Sequence, residues 1–235
     1  MQIKKLSWYS YIVCVHIVIA VALAKTDFVD KVSEKFGILE PPELTRYYYR
    51  ITAHHQRRDG SVPEGATIFI GDSITQGLAT SAVSELSVNY GIGEDTTVGV
   101  IHRLPFYESI KSAKAIVIAI GLNDLLRRDN KRIVENYRSL IRLIPQDKKI
   151  VFSAVLPVDE SVDAMEFSNK KIVELNQQLK LVAQSNKNTV FFDAGNLLMN
   201  ESGNLDRNFH SGDGVHLSDE GYKIWVNQLR AALSD

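Results

Sequence analysis

Cysteine is almost absent from this chain. Cys14 is the only one in 235 residues, so no intramolecular disulfide framework and no thiolate metal cluster can be built. Excess charge is also missing: 27 basic and 28 acidic side chains leave a formal net charge of −1. That balance gives no basic footprint, and a nucleic-acid partner is not expected. There is no H-E-x-x-H pair, so metal-assisted hydrolysis is not expected either. No motif implies a cofactor, and no internal repeat or low-complexity tract interrupts the sequence. Hydrophobic residues at 45% and charged residues at 23% are ordinary for a soluble enzyme-sized domain with a full core.

The first 25 residues differ from the rest. Lys4 and Lys5 precede an uncharged stretch from Leu6 to Ala24, and Ala22-Leu23-Ala24 resembles a small-residue cleavage site. This layout predicts a secretory signal peptide over residues 1–24, and hence an exported protein, periplasmic or secreted. The alternative is a retained membrane anchor, the one case in which a membrane becomes a partner. Nineteen residues (6–24) at about 1.5 Å each nearly cross a hydrocarbon layer of about 30 Å. The lack of disulfides fits a periplasm better than a harsh extracellular setting.

Beyond the leader, residues 25–64 predict a helical extension. Phe28, Val29, Val32 and Phe36 recur at helical spacing up to Gly37, and a second helix runs from Glu43 to Arg58. Residues 65–235 alternate strands with helices. The strands are expected at Thr67–Ile70, Ser87–Tyr90, Ala115–Ile120, Ile150–Val155 and Val190–Asp193, and the helices near 97–111, 130–144, 166–186 and 218–233. The strands are nearly continuous apolar runs, as in a parallel sheet covered on both faces. The pattern predicts a doubly wound α/β layer, with the site at the carboxyl ends of its strands.

Three segments at such ends carry complementary chemistry. Ser73 stands in Gly71-Asp72-Ser73-Ile74-Thr75, Asn123 in Gly121-Leu122-Asn123-Asp124, and Asp213 and His216 in Asp213-Gly214-Val215-His216. A serine hydroxyl needs a base, an imidazole titrates near working pH, and a carboxylate three residues away can fix its tautomer. Backbone N–H groups and an amide side chain supply donors for a developing oxyanion.

These blocks, in this order, resemble the SGNH (GDSL-type) hydrolases, a family of serine esterases, lipases, thioesterases and carbohydrate acetylesterases. The resemblance spans about residues 66–232. It implies a three-layer α/β/α sandwich around a mostly parallel five-stranded, flavodoxin-like sheet. By resemblance Ser73 is the nucleophile, His216 the base, Asp213 its orienter, and Ser73 N–H and Asn123 are oxyanion donors. One block departs. In Asn89-Tyr90-Gly91-Ile92-Gly93-Glu94-Asp95-Thr96 the family's oxyanion glycine falls on Glu94, with Gly93 one place early. Either amide can complete the hole, and Glu94 is preferred.

The expected reaction is hydrolysis of carboxylic esters through an acyl-enzyme, removing acetyl or other short acyl groups from a carbohydrate or similar polar carrier. The acidic stretch 158–167 favours such a carrier. The alternatives are a lysophospholipase or acyl thioesterase, or a weakly active ligand-binding module. Other polar residues read as structural: Asp72 and Asp124 as turn braces, His54 and His55 as a polar helix face, His210 as a solvated loop residue. Tyr47, Tyr48 and Tyr49 read as cover for the sheet, Tyr222 and Trp225 as packing, and Arg127, Arg128, Lys131 and Arg132 as a solvated helix start.

Overall fold

A computed structural model of the chain describes residues 43–162 and 165–234, together with Trp8, Tyr11, Val15 and His16. The helix carrying Phe28 to Phe36 and, apart from those four residues, the leader over 1–24 fall outside the described residues. The chain divides after Leu44. In the unit Met1–Leu44 the Trp8 and Tyr11 rings lie 6.2 Å apart. Among the described residues no helix is long and apolar enough to cross a membrane. The unit Thr45–Asp235 carries everything that follows.

Its centre is one five-stranded sheet, β1 (Thr67–Gly71), β2 (Ser87–Gly91), β3 (Ala115–Ala119), β4 (Lys149–Ser153) and β5 (Thr189–Phe192), in the order β2-β1-β3-β4-β5. All four pairings are parallel. Side chains alternate between the faces with the strand period of two. Ile68, Ile70, Ile116, Ile118 and Phe152 meet one helical layer through Val100, Ile133, Tyr137, Leu140 and Leu175. Phe69, Val117 and Val151 meet the other through Leu198, Trp225 and Leu229. Both faces are therefore dry, which is why the strands read as unbroken apolar runs.

The expected strands agree with the observed ones to within two residues. Helices α4 (Asn130–Leu143), α5 (Asn169–Gln184) and α6 (Asp219–Ser234) also follow the sequence pattern. The helix expected over 97–111 does not form as one piece. It is α3 (Thr97–Arg103) followed by 3₁₀ turns at Leu104–Phe106 and Glu108–Ser112, because Pro105 has no N–H to continue the ladder.

Helix α1 (Arg46–Asp59) is part of this unit, so a boundary at 64/65 does not separate it from the sheet. Tyr48, Thr52, His55 and Asp59 share its buried face. Tyr48 Oη donates to Gly99 O at 2.8 Å, and Tyr90 Oη donates to Asp59 Oδ1 at 2.7 Å. His55 is buried, with Nδ1 3.2 Å from Tyr107 Oη, so it is not on a polar face as expected. Burial, with Arg103 and Arg58 nearby, pushes its imidazole down to about 3.

The order of the strands sets the active edge. The chain runs from β1 to β2 on one side and from β2 back across to β3 on the other, which makes the carboxyl ends of β1 and β3 the switch point of the sheet. The register pairs Gly71 with Gly91 and with Ala119. Three strands thus end level, and the segments carrying Ser73, Glu94 and Asn123 leave the sheet at one height.

Beneath that edge Arg103 is fully buried. Its Nε donates to Asp95 Oδ2 at 2.9 Å, Nη2 to Gly71 O at 3.2 Å and Nη1 to Tyr107 Oη at 3.3 Å. Replacing Arg103 with Met would leave the Asp95 carboxylate buried with the Thr96 N–H but without its cation. The expected loss is about 3–5 kcal/mol of unfolding free energy, read from urea midpoints; a loss below about 1 kcal/mol would contradict this account.

Candidate active site

The segment carrying Ser73 is held by close backbone approach. A Cβ on Gly71 would lie 2.2 Å from Ala119 O, and one on Gly91 would lie 2.3 Å from Gln76 N, so glycine alone lets the turn settle on the strand ends. Asp72 caps the short helix α2 (Ser73–Gln76), with Oδ1 accepting from Ile74 N at 3.0 Å. This is the turn-bracing role expected of it. Asn89 Nδ2 donates to Thr75 O at 2.7 Å and to Leu78 O at 2.9 Å, while its Oδ1 accepts from Gly91 N at 2.8 Å. The Tyr222 hydroxyl donates to Ile74 O at 2.8 Å. Ser73 is the first residue of this fastened turn.

His216 meets it from the C-terminal loop. Its Nε2 is 2.8 Å from Ser73 Oγ, and its Nδ1 is 2.6 Å from Asp213 Oδ2. Asp213 Oδ1 accepts from the N–H groups of Val215 and His216, both at 2.9 Å. Partial burial is the largest single influence on this carboxyl and raises it. The two N–H groups and the imidazole outweigh burial and bring it to about 2. An ionised carboxylate at Nδ1 keeps the proton there and leaves the Nε2 lone pair facing the serine hydroxyl.

The reading of His210 as a solvated residue is not what the structure shows. It is buried, and Nδ1 accepts from Gly212 N at 3.0 Å and from Gly214 N at 3.1 Å. Two donors on Nδ1 place its proton on Nε2, which lies 3.3 Å from Asp159 Oδ2. Asp159 N also donates to Gly214 O at 2.8 Å. His210 and Asp159 therefore grip the backbone on both sides of Asp213.

The same contacts correct the acidic stretch. Asp159 is buried against the loop, and Glu160 Oε1 accepts from Asn169 N at 2.5 Å. These carboxylates are structural, while Asp163 falls outside the described residues. In the basic cluster, Arg128 pairs with the buried Asp124 and Arg132 with Glu135.

Asn123 opens a 3₁₀ turn after β3 and donates one amide hydrogen to Asp95 O at 3.0 Å. Its second amide hydrogen is available to the cleft it lines. Asp124 does more than brace its own turn. Fully buried, it accepts from Thr97 N at 2.9 Å and from Thr97 Oγ1 at 2.5 Å, tying the Asn123 turn to the start of α3. Between β2 and α3, Gly93 N donates to Gln76 Oε1 at 2.8 Å, and Gln76 Nε2 donates to Tyr47 Oη at 2.9 Å. Glu94 has φ of 63°, a left-handed conformation that costs a side-chain-bearing residue about 1 kcal/mol. Glycine would hold the same conformation without that cost.

Ser73, Glu94, Asn123, Asp213 and His216 all line one half-open cleft of about 600 Å³, with Gly93, Tyr47, Leu122, Phe167 and Val215 among its other walls. Sequence reasoning assembled the residues that touch this cleft. It missed Asp159, His210, Gln76 and Arg103, which work through partners up to 51 residues away (His210 from Asp159), where no local spacing reveals them.

The family model for GDSL-like lipases and acylhydrolases matches residues 69–224. The chain belongs to that family, and it is an SGNH-type carboxylic ester hydrolase. Solved structures share the fold. A Streptococcus pneumonia protein provisionally described as a platelet activating factor is 24% identical, with a TM-score of 0.75 over 89% of this chain and 100% of that one. A GDSL-like lipase from Bacteroides thetaiotaomicron is 22% identical, with a TM-score of 0.69 over 78% and 97%. A mutant acetyl-xylooligosaccharide esterase from Geobacillus Stearmophilus is 21% identical, with a TM-score of 0.57 over 73% and 96%. No curated protein sequence matches the chain.

Two outcomes follow from the geometry. His210→Leu removes the acceptor for two backbone N–H groups and should lower kcat about tenfold or more with little change in KM. His210→Asn, whose Oδ1 can stand near the lost Nδ1, should recover most of it; steady-state kinetics on both variants checks this.

Burial raises the Asp72 carboxyl from 3.8 to about 7. A folded pKa above the unfolded one means that its stabilising contribution is full below pH 3.8 and is lost as pH rises through 7. Asp72→Asn keeps the oxygen that caps Ile74 and removes the titration. It should be more stable than wild type at pH 8, with a flatter stability profile between about pH 4 and pH 7; chemical denaturation across that range tests the sign.

Proposed function

We propose that this enzyme removes acetyl or another short acyl group from a carbohydrate or similar polar carrier, through an acyl-enzyme on Ser73. The observation that carries this reading is the continuous line from Ser73 Oγ to His216 Nε2 at 2.8 Å and from Nδ1 to Asp213 at 2.6 Å. Ser73 Oγ attacks the ester carbonyl as His216 Nε2 takes its proton, and Asp213 stabilises the imidazolium. The tetrahedral oxyanion is met by the N–H groups of Ser73 and Glu94 and by the free amide hydrogen of Asn123. Glu94 is assigned in preference to Gly93 because the Gly93 N–H is already bonded to Gln76. Each such donor lowers the barrier; removing one typically costs about 2.7–4 kcal/mol of that stabilisation. His216 then protonates the departing alcohol and activates the water that releases the acid.

The small cavity among Ile74, Leu122, Val155, Leu156 and Trp225 holds only about 20 Å³ and is not lined by Ser73, so the acyl group is read as lying in the open cleft. A long chain would have to lie across the open cleft, against Leu122, Phe167 and Val215; this is how a lysophospholipid or acyl thioester would bind. The acetyl-xylooligosaccharide esterase among the structural relatives agrees with the first reading. The leader-like residues 1–24 support export as the setting.

A fluorophosphonate probe with peptide mapping, run beside p-nitrophenyl esters of increasing chain length, tests the reading. Wild type should label once, at Ser73, and prefer acetate steeply. Ser73→Ala should neither label nor turn over. Labelling that persists in Ser73→Ala would overturn the nucleophile, and a preference for long chains would favour the lipid reading.

A further inference from the structure

We infer that Glu94 selects by charge, so that the enzyme favours esters whose alcohol carries an ammonium group and disfavours anionic ones. The inference rests on the esterase reading above and adds the class of carrier. Glu94 lines the cleft, is exposed, and makes no ion pair among the described residues. No Arg or Lys lines the cleft among the described residues. Asp213, in the same walls, is held well below the usual carboxylate range, so it adds a second negative charge to the cleft.

Two aromatic rings, Tyr47 and Phe167, stand in the same walls, and ring faces attract ammonium groups. Arg50 already lies over the Tyr47 ring at 5.7 Å, so Phe167 is the ring left for a ligand. Glu94 also holds the left-handed backbone where glycine would be relaxed. A costly residue at the mouth of a reactive site is a pointer to function. An anionic carrier would meet uncompensated negative charge here, while an ammonium group would meet a carboxylate and an aromatic face.

Acetylated alcohols matched in size test this. Acetylcholine is compared with its neutral isostere 3,3-dimethylbutyl acetate and with the acetate ester of 3-hydroxypropanesulfonate. A second pair, 6-O-acetylglucosamine and 6-O-acetylglucose, asks whether the cation is a quaternary head group or a sugar amine. In wild type kcat/KM should rank cation above neutral above anion, by about fivefold per step at low ionic strength, and the ranking should shrink with added salt. Glu94→Gln should flatten it. Because each ratio is read on one variant, any change in the oxyanion donor at residue 94 cancels.

A larger effect in the sugar pair than in the choline pair assigns the amine to a carbohydrate, and the reverse assigns a quaternary head group. Hydrolysis of all the esters with no ranking, or a ranking unchanged in Glu94→Gln, overturns this inference alone. No hydrolysis of any of them by wild type overturns the esterase reading together with it.

Discussion

One buried cation joins the two halves of the active edge. Arg103 bonds Gly71 O at the end of β1 and Asp95 in the loop after β2. The turn carrying Ser73 and the loop carrying Glu94 are therefore fixed to one planar, charged group. Asp95 in turn offers its carbonyl to Asn123, and Asp124 reaches back to Thr97. Each element that contributes a donor or a nucleophile is thus tied to its neighbour below the cleft. The ties are made in a dry interior, where hydrogen bonds to charged groups hold geometry most firmly. A site prearranged this way spends little energy reorganising as negative charge develops on the substrate.

What was legible in the sequence follows from the range of the interactions involved. Ile116-Val117-Ile118-Ala119 reads as a central strand because both of its faces are dry, a property written in the residues themselves. Ser73, Asn123, Asp213 and His216 were legible because each lies in a compact motif at a strand end or loop. The single helix expected over 97–111 overlooked what Pro105 does to a helical ladder. His55 and His210 looked solvated because their partners, Tyr107 and Asp159, lie about 50 residues away in sequence. Asp159 and Glu160 looked like part of an acidic surface facing the substrate. In the fold one secures the catalytic loop and the other the start of α5.

The cleft has two chemically distinct sides. One is made of donors and the imidazole, and it serves any ester carbonyl. The other, formed by Tyr47, Glu94, Leu122, Phe167 and Val215, meets whatever is attached to that carbonyl. Selectivity can change on the second side while the first stays intact. Glu94 belongs to both in the proposed reading, its backbone N–H to the common chemistry and its side chain to the choice of substrate.

The base and its carboxylate come from one four-residue stretch, Asp213–His216, closed off by a single antiparallel bridge between His210 and Leu217 and by the Ser211 N–His216 O bond. The orientation of the imidazole is therefore set inside the stretch itself, by Asp213 at Nδ1, and owes nothing to the serine on its other side.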